Sequence, residues 1–133
     1  MRRLPRGIRN HNPGNIRHGD ELEGLADKQA DKYFCTFKEP KFGIRAMGKV
    51  LLGYERGDGL NTVEGIINRW APKTANTQAY IKHVSQRLGV PPDQEINVDQ
   101  HLEEFVSSMI LHENGYSPYE PEVICEGCKL AKL

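Results

Sequence analysis

From Pro40 onward, apolar residues recur at the spacing of one helix face, and glycines and prolines divide them into segments. Gly57 and Gly59 predict the end of the first segment. Its apolar side chains are Phe42, Met47, Val50, Leu51 and Tyr54. A chain segmented in this way is predicted to form a mainly α fold.

Two shorter helices are predicted next. Asn61, followed three residues later by Glu64, resembles a capping box before the second helix, and Pro72 is predicted to end it. Thr77 is predicted to cap the third helix, and Gly89 to end it.

The fourth and fifth helices complete the predicted fold. Asp99 is predicted to cap the fourth helix, Gly115 to end it, and Pro121 to occupy the first turn of the fifth. The residues predicted to form the core are Trp70, Ile81, Val84, Phe105, Val106 and Met109.

The first 35 or so residues differ from the rest, because they are rich in Gly, Asn, Pro and charge. We interpret Arg9 to Gly19 as a tight-turned loop and Tyr33 to Phe37 as a short strand. The 133 residues therefore predict one domain, residues 1–133, with about five helices and a small N-terminal β or loop element.

Charge and hydropathy limit the classes of partner. Lys+Arg and Asp+Glu balance at 18 each, which argues against a nucleic-acid partner. Five arginines among the first 17 residues still leave nucleic-acid binding as an alternative. No apolar run is long enough to span a bilayer or to follow the basic N-terminus as a secretory signal. We expect a monomer that is made in a cytoplasm and not inserted in a membrane.

The three cysteines are Cys35, Cys125 and Cys128. Their odd number, without a signal peptide, predicts reduced thiols. The Cys-x-x-Cys pair would need Cys35 and a histidine to complete the four ligands of a structural zinc site. We therefore expect no metal, no disulfide and no organic cofactor.

Glu113 is the residue that most suggests chemistry. It follows Met109, Val106 and Leu102 at helical spacing, which places it on the apolar stripe near the C-terminal end of its helix. Burial and the helix dipole both disfavour its ionised form and are expected to raise its pKa. Glycosidases need such a protonated carboxyl as general acid. The alternative is that the helix frays by Leu111 and leaves Glu113 in solvent.

Other candidate residues would contact a sugar. The turn that holds Asn12, Asn15 and Arg17 offers amides for hydrogen bonding, although such a turn is also common as a purely structural element. Aromatic side chains stack on sugar rings or fill the core. The predicted substrate-binding residues are Asn12, Asn15, Arg17, Tyr80, Asn114, Tyr116 and Tyr119.

Two family resemblances follow from these motifs. Asn-Pro-Gly-Asn-Ile-Arg at 12–17, Tyr33-Phe34, Phe37 and the Phe-Gly-Ile-Arg-Ala at 42–46 resemble a segment of the bacterial autolysin glucosaminidases. Over nearly its full length the chain also resembles short lysozyme-like proteins of phages and prophages. That match runs through the segments 59–63 and 69–72 to His-Glu-Asn-Gly at 112–115.

The resemblance implies a lysozyme-like fold and cleavage of peptidoglycan glycan strands, by hydrolysis or transglycosylation, with Glu113 as general acid. It implies action at the bacterial cell wall, either from a virion or after release through a holin. The alternative is a phage structural or glycan-binding protein that keeps the fold without catalysis.

The order of the motifs departs from the autolysins, whose catalytic Glu precedes the Asn-rich motif. Here the helix that ends in Glu-Asn-Gly comes at the other end of the chain. A circular permutation would explain this order, and it predicts that the turn at 12–17 packs against the end of the fourth helix.

A second carboxylate is expected among the acids that follow the turn, with Glu21 and Glu23 as the candidates. The resemblance does not require one, since lytic transglycosylases of this fold work with a single Glu. In those enzymes a hydroxyl of the substrate closes on the anomeric carbon.

Overall fold

The structure is a computed structural model that describes residues 3–71 and 75–133. It is mainly α, as predicted. The described residues form α1 (Arg6–Arg9), α2 (Pro40–Asp58), α3 (Val63–Trp70), α4 (Ala75–Leu88), α5 (Leu102–Asn114) and α6 (Pro121–Ala131). The five predicted helices are present, and the single turn of α1 was not predicted. Pro72, the predicted end of α3, lies outside the described residues.

The long helix α2 organises the fold by packing along α6 and against the side of α5. Glycines permit the close approach of α2 and α6. A Cβ atom added to Gly127 of α6 would lie 2.5 Å from Ile44 Cγ2, and one added to Gly48 of α2 would lie 2.7 Å from Ala131 Cβ. Larger side chains at these two positions would force the helices apart.

The main core lies between α2, α3, α4, α5 and α6. Five of the six predicted core residues are buried there, and the sixth, Trp70, is partly buried and packs against the same cluster. The buried members that the prediction named are Ile81, Val84, Phe105, Val106 and Met109. The predicted core is therefore confirmed, with Trp70 at its edge.

The predicted C-terminal ends of three helices are confirmed. Gly59, Gly89 and Gly115 have φ values of 67°, 71° and 80°, the left-handed region that glycine adopts without strain. Gly57 lies inside α2 and does not end it.

The predicted N-terminal caps of α3 and α4 are wrong. Thr62, and not Asn61, caps α3, because its Oγ1 accepts a hydrogen bond of 3.1 Å from the Gly65 amide. α4 begins at Ala75, so Thr77 lies within its first turn.

The predicted cap of α5 is also wrong. His101 precedes the helix, and the Asp99 carboxylate instead pairs with Arg56 at 3.5 Å and Lys132 at 3.2 Å. Pro121 does begin α6, as predicted.

The predicted strand at 33–37 is reduced to isolated bridges. Arg17 pairs with Phe34, and Leu25 pairs with Phe37, both antiparallel. Side chains fix much of this segment: the Asp31 carboxylate accepts hydrogen bonds from the amides of Tyr33 and Phe34. Because the Asp31 side chain accepts the hydrogen bonds of these two amides, too few backbone groups remain to form the regular hydrogen bonds of a β-ladder.

The three thiols are unpaired. Burial raises the pKa of Cys35, and it raises the pKa of Cys128 to about 12. Within 3–71 and 75–133, no group of three or more His, Cys, Asp or Glu side chains is arranged to hold a metal ion. None of the helices described in these ranges is long and apolar enough to cross a membrane.

Candidate active site

Glu113 lies in the last turn of α5, which continues to Asn114 before Gly115 ends it. The helix therefore does not fray at Leu111. Glu113 is half-buried, since the helical spacing that buries Phe105, Val106 and Met109 turns it toward the core.

An open cleft of about 520 Å³ contains Glu113. The N-terminal turn forms one side of it, and α2 and the end of α3 form the other. The described residues that line it are Gly14, Asn15, Ile16, Arg17, Phe34, Val50, Tyr54, Trp70, Ala71 and Glu113. Aromatic faces, an amide and a carboxyl therefore meet in one depression, which is a surface of the kind that binds sugars.

The pKa of Glu113 is raised, as predicted, and burial is the largest cause. The polar groups of the neighbouring Tyr80, Trp70 and Asn15 side chains oppose this rise in pKa, because they stabilise the carboxylate. Burial prevails, so the carboxyl keeps its proton to a higher pH than an exposed Glu. A protonated carboxyl that faces a cleft is the group that general acid catalysis requires.

Tyr80 of α4 lies beneath this carboxyl. Its side chain is 4% exposed, and its ring stacks on the His112 ring with 3.9 Å between centroids. Burial and the neighbouring Glu113 raise the pKa of Tyr80, so its hydroxyl stays protonated. That hydroxyl approaches Glu113 without completing a hydrogen bond, and it is buried without a hydrogen-bond partner in the described part of the chain. Tyr80 therefore acts on Glu113 from inside the protein and does not line the cleft.

Asn12 organises the N-terminal turn from a fully buried position. Its Nδ2 donates to the carbonyl oxygens of Ile16 at 2.9 Å and Cys35 at 2.8 Å, and its Oδ1 accepts from the Ile16 amide at 2.9 Å. Both amide hydrogens are used inside the fold. Asn12 thus shapes the turn, and the structure does not bring it to the cleft as a substrate ligand.

Asn15 is placed differently by the same turn. Its φ is 52°, a left-handed conformation that Asn tolerates better than most residues. This conformation presents its side chain to Glu113, and Asn15 Oδ1 has no hydrogen-bond partner among the described residues. The predicted juxtaposition of Asn15 and Glu113 is therefore present.

The turn is fixed directly to the end of α5. Asn114 Nδ2 donates to the Pro13 carbonyl at 2.9 Å and to the Ile110 carbonyl at 3.0 Å. The predicted packing of the turn against this helix is confirmed. Because its amide is used in these bonds, Asn114 holds the cleft together and does not line it.

Close packing against α2 fixes the other face of the turn. A Cβ atom on Gly14 would lie 2.6 Å from Met47 Cγ and 3.2 Å from a Trp70 ring carbon. The absence of a side chain at Gly14 lets the turn lie flat against Trp70, which faces the cleft. The predicted tight-turned loop at 9–19 is present from Asn10 onward, since Arg9 belongs to α1, and it forms one wall of the cleft.

Arg17 and Phe34 form the outer part of the cleft. The Arg17 guanidinium lies 5.3 Å from the centre of the Phe34 ring, and Arg6 lies 4.7 Å from the same ring. Arg6 is paired with Asp31 at 2.6 Å, which holds the pKa of that carboxyl well below its usual range. Arg17 remains exposed beside the cleft, as its predicted role requires.

The chain is similar to Protein P5 of Pseudoalteromonas phage PM2, with 41% identity over 127 residues. The match covers 92% of this chain and 79% of the phage protein. This chain belongs to the family of that phage protein. No protein-family model matches the sequence.

The two candidate partner carboxylates do not line the cleft. Glu21 is exposed, and Glu23 pairs with Arg45 at 3.4 Å on the surface. Among the cleft residues that the structure describes, Glu113 supplies the one carboxyl group.

Tyr116 and Tyr119 are also placed elsewhere. Tyr116 is 39% exposed in a separate depression with Arg3, Leu4 and Pro5. Tyr119 lines a third depression, where burial raises its pKa to about 12. Proximity to Glu113 in sequence did not bring them to the cleft, because the left-handed Gly115 turns the chain away from it.

Two aromatic cleft residues, Tyr54 and Trp70, are predicted from the sequence to lie on the apolar faces of their helices. One side of each ring does pack against the core, as this pattern predicts. Each also lines the cleft with the remainder of its side chain. The sequence feature that indicates this dual role is the polar atom of each side chain, the Tyr hydroxyl or the Trp N–H, which would need a hydrogen-bond partner if the ring were fully buried.

Proposed function

We propose that the protein cleaves the glycan strands of bacterial peptidoglycan, with Glu113 donating a proton to the glycosidic oxygen. One observation carries the proposal: a half-buried carboxyl with a raised pKa faces an open cleft beside Trp70, Asn15 and Arg17. The resemblance to lysozyme-like phage proteins supports the same reading, and the homology to a phage protein is consistent with a phage setting.

The side chains around Glu113 suit this reaction. Trp70 and Tyr54 provide ring faces for sugars, and Asn15 lines the cleft beside Glu113. Burial raises the pKa of Glu113 against the opposing effect of Tyr80 and so favours the protonated acid, as in glycosidases whose general acid lies in an apolar pocket.

Transglycosylation is the form of cleavage that a single carboxyl supports. A two-carboxylate hydrolase places its acids about 5–9.5 Å apart across the bond that is cut. Since Glu21 and Glu23 lie outside the cleft, a hydroxyl of the substrate would take the place of the second acid. Mass spectrometry of the released muropeptides tests this: anhydro ends support it, and reducing ends indicate hydrolysis.

The second candidate is a glycan-binding phage protein without catalysis. The same observation favours it, because a cleft lined by one carboxyl binds sugars whether or not it cleaves them. The action of the protein from a virion or after holin-mediated release belongs equally to either candidate. No cofactor or metal takes part in the proposed chemistry.

Incubation with purified cell walls separates the two candidates. The enzyme lowers the turbidity of the suspension and releases soluble muropeptides, whereas the binding protein sediments with intact walls. Binding without any release of muropeptides, over a range of wall chemotypes, would overturn the catalytic proposal.

A further inference from the structure

The net charge of the cleft depends on whether Glu113 is protonated. Among the described residues that line the cleft, Arg17 carries a positive charge, and Glu113 carries a negative charge when it is ionised. Burial favours the neutral form of Glu113, whereas an arginine stays charged at all ordinary pH values. The cleft therefore carries a positive charge in the state in which Glu113 holds its proton.

Arg17 differs from the arginines of the fold that form ion pairs. Arg6, Arg45 and Arg69 pair with Asp31, Glu23 and Asp58. No ion pair to Arg17 occurs among residues 3–71 and 75–133, and its guanidinium contacts the Phe34 ring. An exposed guanidinium that is stacked and unpaired keeps its hydrogen-bond donors free for a ligand.

The backbone of Arg17 is held firmly in place. It forms a bridge with Phe34, its carbonyl accepts from Cys35 Sγ at 3.5 Å, and the Cys35 amide donates to the neighbouring Ile16 carbonyl at 2.9 Å. The stack on Phe34 limits the side chain as well. A preorganised guanidinium loses less entropy when it binds a carboxylate.

We propose that Arg17 binds a carboxylate of the substrate and so makes the cleft selective for anionic glycan strands over neutral ones. Peptidoglycan carries free carboxylates on its stem peptides and on those lactyl ethers that bear no peptide, whereas a chitin-like polymer of N-acetylglucosamine carries none. The fork of a guanidinium matches a carboxylate with two parallel hydrogen bonds. This inference rests on the proposed function and specifies its substrate.

The test compares the full-length protein with Arg17→Gln on two substrates. One is purified cell walls, and the other is the same walls after conversion of their carboxylates to methylamides with carbodiimide and methylamine. Arg9→Gln is the matched control, because Arg9 is an exposed arginine that does not line the cleft. Circular dichroism and melting temperature verify that each variant is folded.

On untreated walls, we expect Arg17→Gln to release muropeptides about 10- to 100-fold more slowly, as loss of a charged hydrogen bond implies. Arg9→Gln should keep the wild-type rate. On amidated walls, wild type and Arg17→Gln should have equal rates. Arg17→Lys should retain an intermediate preference for untreated walls, since it keeps the charge without the fork.

An Arg17→Gln variant that is slower than wild type by the same factor on both substrates would overturn the inference, and so would one as fast as wild type on untreated walls. Either result leaves the proposed function intact. That function fails separately, if wild type releases no muropeptides or if Glu113→Gln releases them at the wild-type rate.

Discussion

Replacement of Glu113 by Gln is the most informative single change. Gln keeps the shape of the side chain but has no acidic proton to donate. General acid catalysis contributes about 10²- to 10⁴-fold to a rate, so we expect wall cleavage to fall by that factor. The fold should persist, because Glu113 lies at the end of α5 and the core residues of that helix are untouched.

The same change should stabilise the protein at neutral pH. The raised pKa means that, between the unfolded pKa of Glu, about 4.3, and the folded pKa, the native state binds more protons than the unfolded chain. Stability contributed by Glu113 is therefore complete below the unfolded pKa and is lost as the pH rises through the folded pKa. Glu113→Gln has no such loss.

To the extent that Glu113 is ionised at pH 7, removing that anion from the helix C-terminus gives about 0.3–1 kcal/mol. For a chain of this length that corresponds to about 1–4 °C in melting temperature. The gain should disappear near pH 3, well below the unfolded pKa of about 4.3, where the wild-type carboxyl is protonated in both states.

Thermal melts at the two pH values and a wall-turbidity assay measure both effects. Lower activity with an equal or higher melting temperature marks a catalytic Glu, whereas a structural Glu would lose both together. A variant that clears walls near the wild-type rate would refute the assignment of Glu113 as the acid.

Three further changes test the surroundings of Glu113. Tyr80→Phe removes an interaction that lowers the pKa of Glu113, so the basic limb of the pH–rate profile should move to higher pH; an unmoved limb would contradict that interaction. Asn12→Ala should lower the free energy of unfolding in urea by about 2–3 kcal/mol, since it leaves buried backbone groups without hydrogen-bond partners. A loss below about 1 kcal/mol, the cost of one weak hydrogen bond, would count against this role of Asn12. Gly127→Ala should lower the free energy of unfolding by about 1–3 kcal/mol, because the added methyl group overpacks against α2. The control Gly53→Ala has open space at its Cβ and should not lower it. Equal effects of the two changes would show that α6 has room to move away from α2.

Much of the helical fold could be predicted because glycine ends helices by a mechanism that is local. Gly59, Gly89 and Gly115 adopt positive φ, and this freedom is a property of the residue itself. The N-terminal caps were harder, since several residues beside each helix offer an oxygen. Tertiary partners decide among them: Asp99 is drawn to Arg56 and Lys132 and so leaves the cap.

The positions of candidate site residues could be predicted within a helix, where side chains recur with a fixed period, and could not be predicted in a loop. The position of Glu113 is set by the repeat of α5, and its burial and raised pKa follow from that repeat. Tyr116 and Tyr119 come after the left-handed Gly115, and no period connects them to Glu113. Asn12 and Asn15 belong to one turn, but the backbone of that turn directs Asn12 inward and Asn15 toward the acid, and no sequence period distinguishes them.

The bond from Asn114 to Pro13 joins residues that are 101 positions apart in the chain. Closing a loop of that length costs about 4 kcal/mol of chain entropy, which other contacts must offset before the bond contributes. During synthesis, the turn leaves the ribosome about 100 residues before its partner exists. The acid and its wall therefore meet only after Asn114 has been made, and a shorter fragment in synthesis holds no assembled cleft. Trp70, the single tryptophan of the chain, lies at that junction and reports its closure by fluorescence.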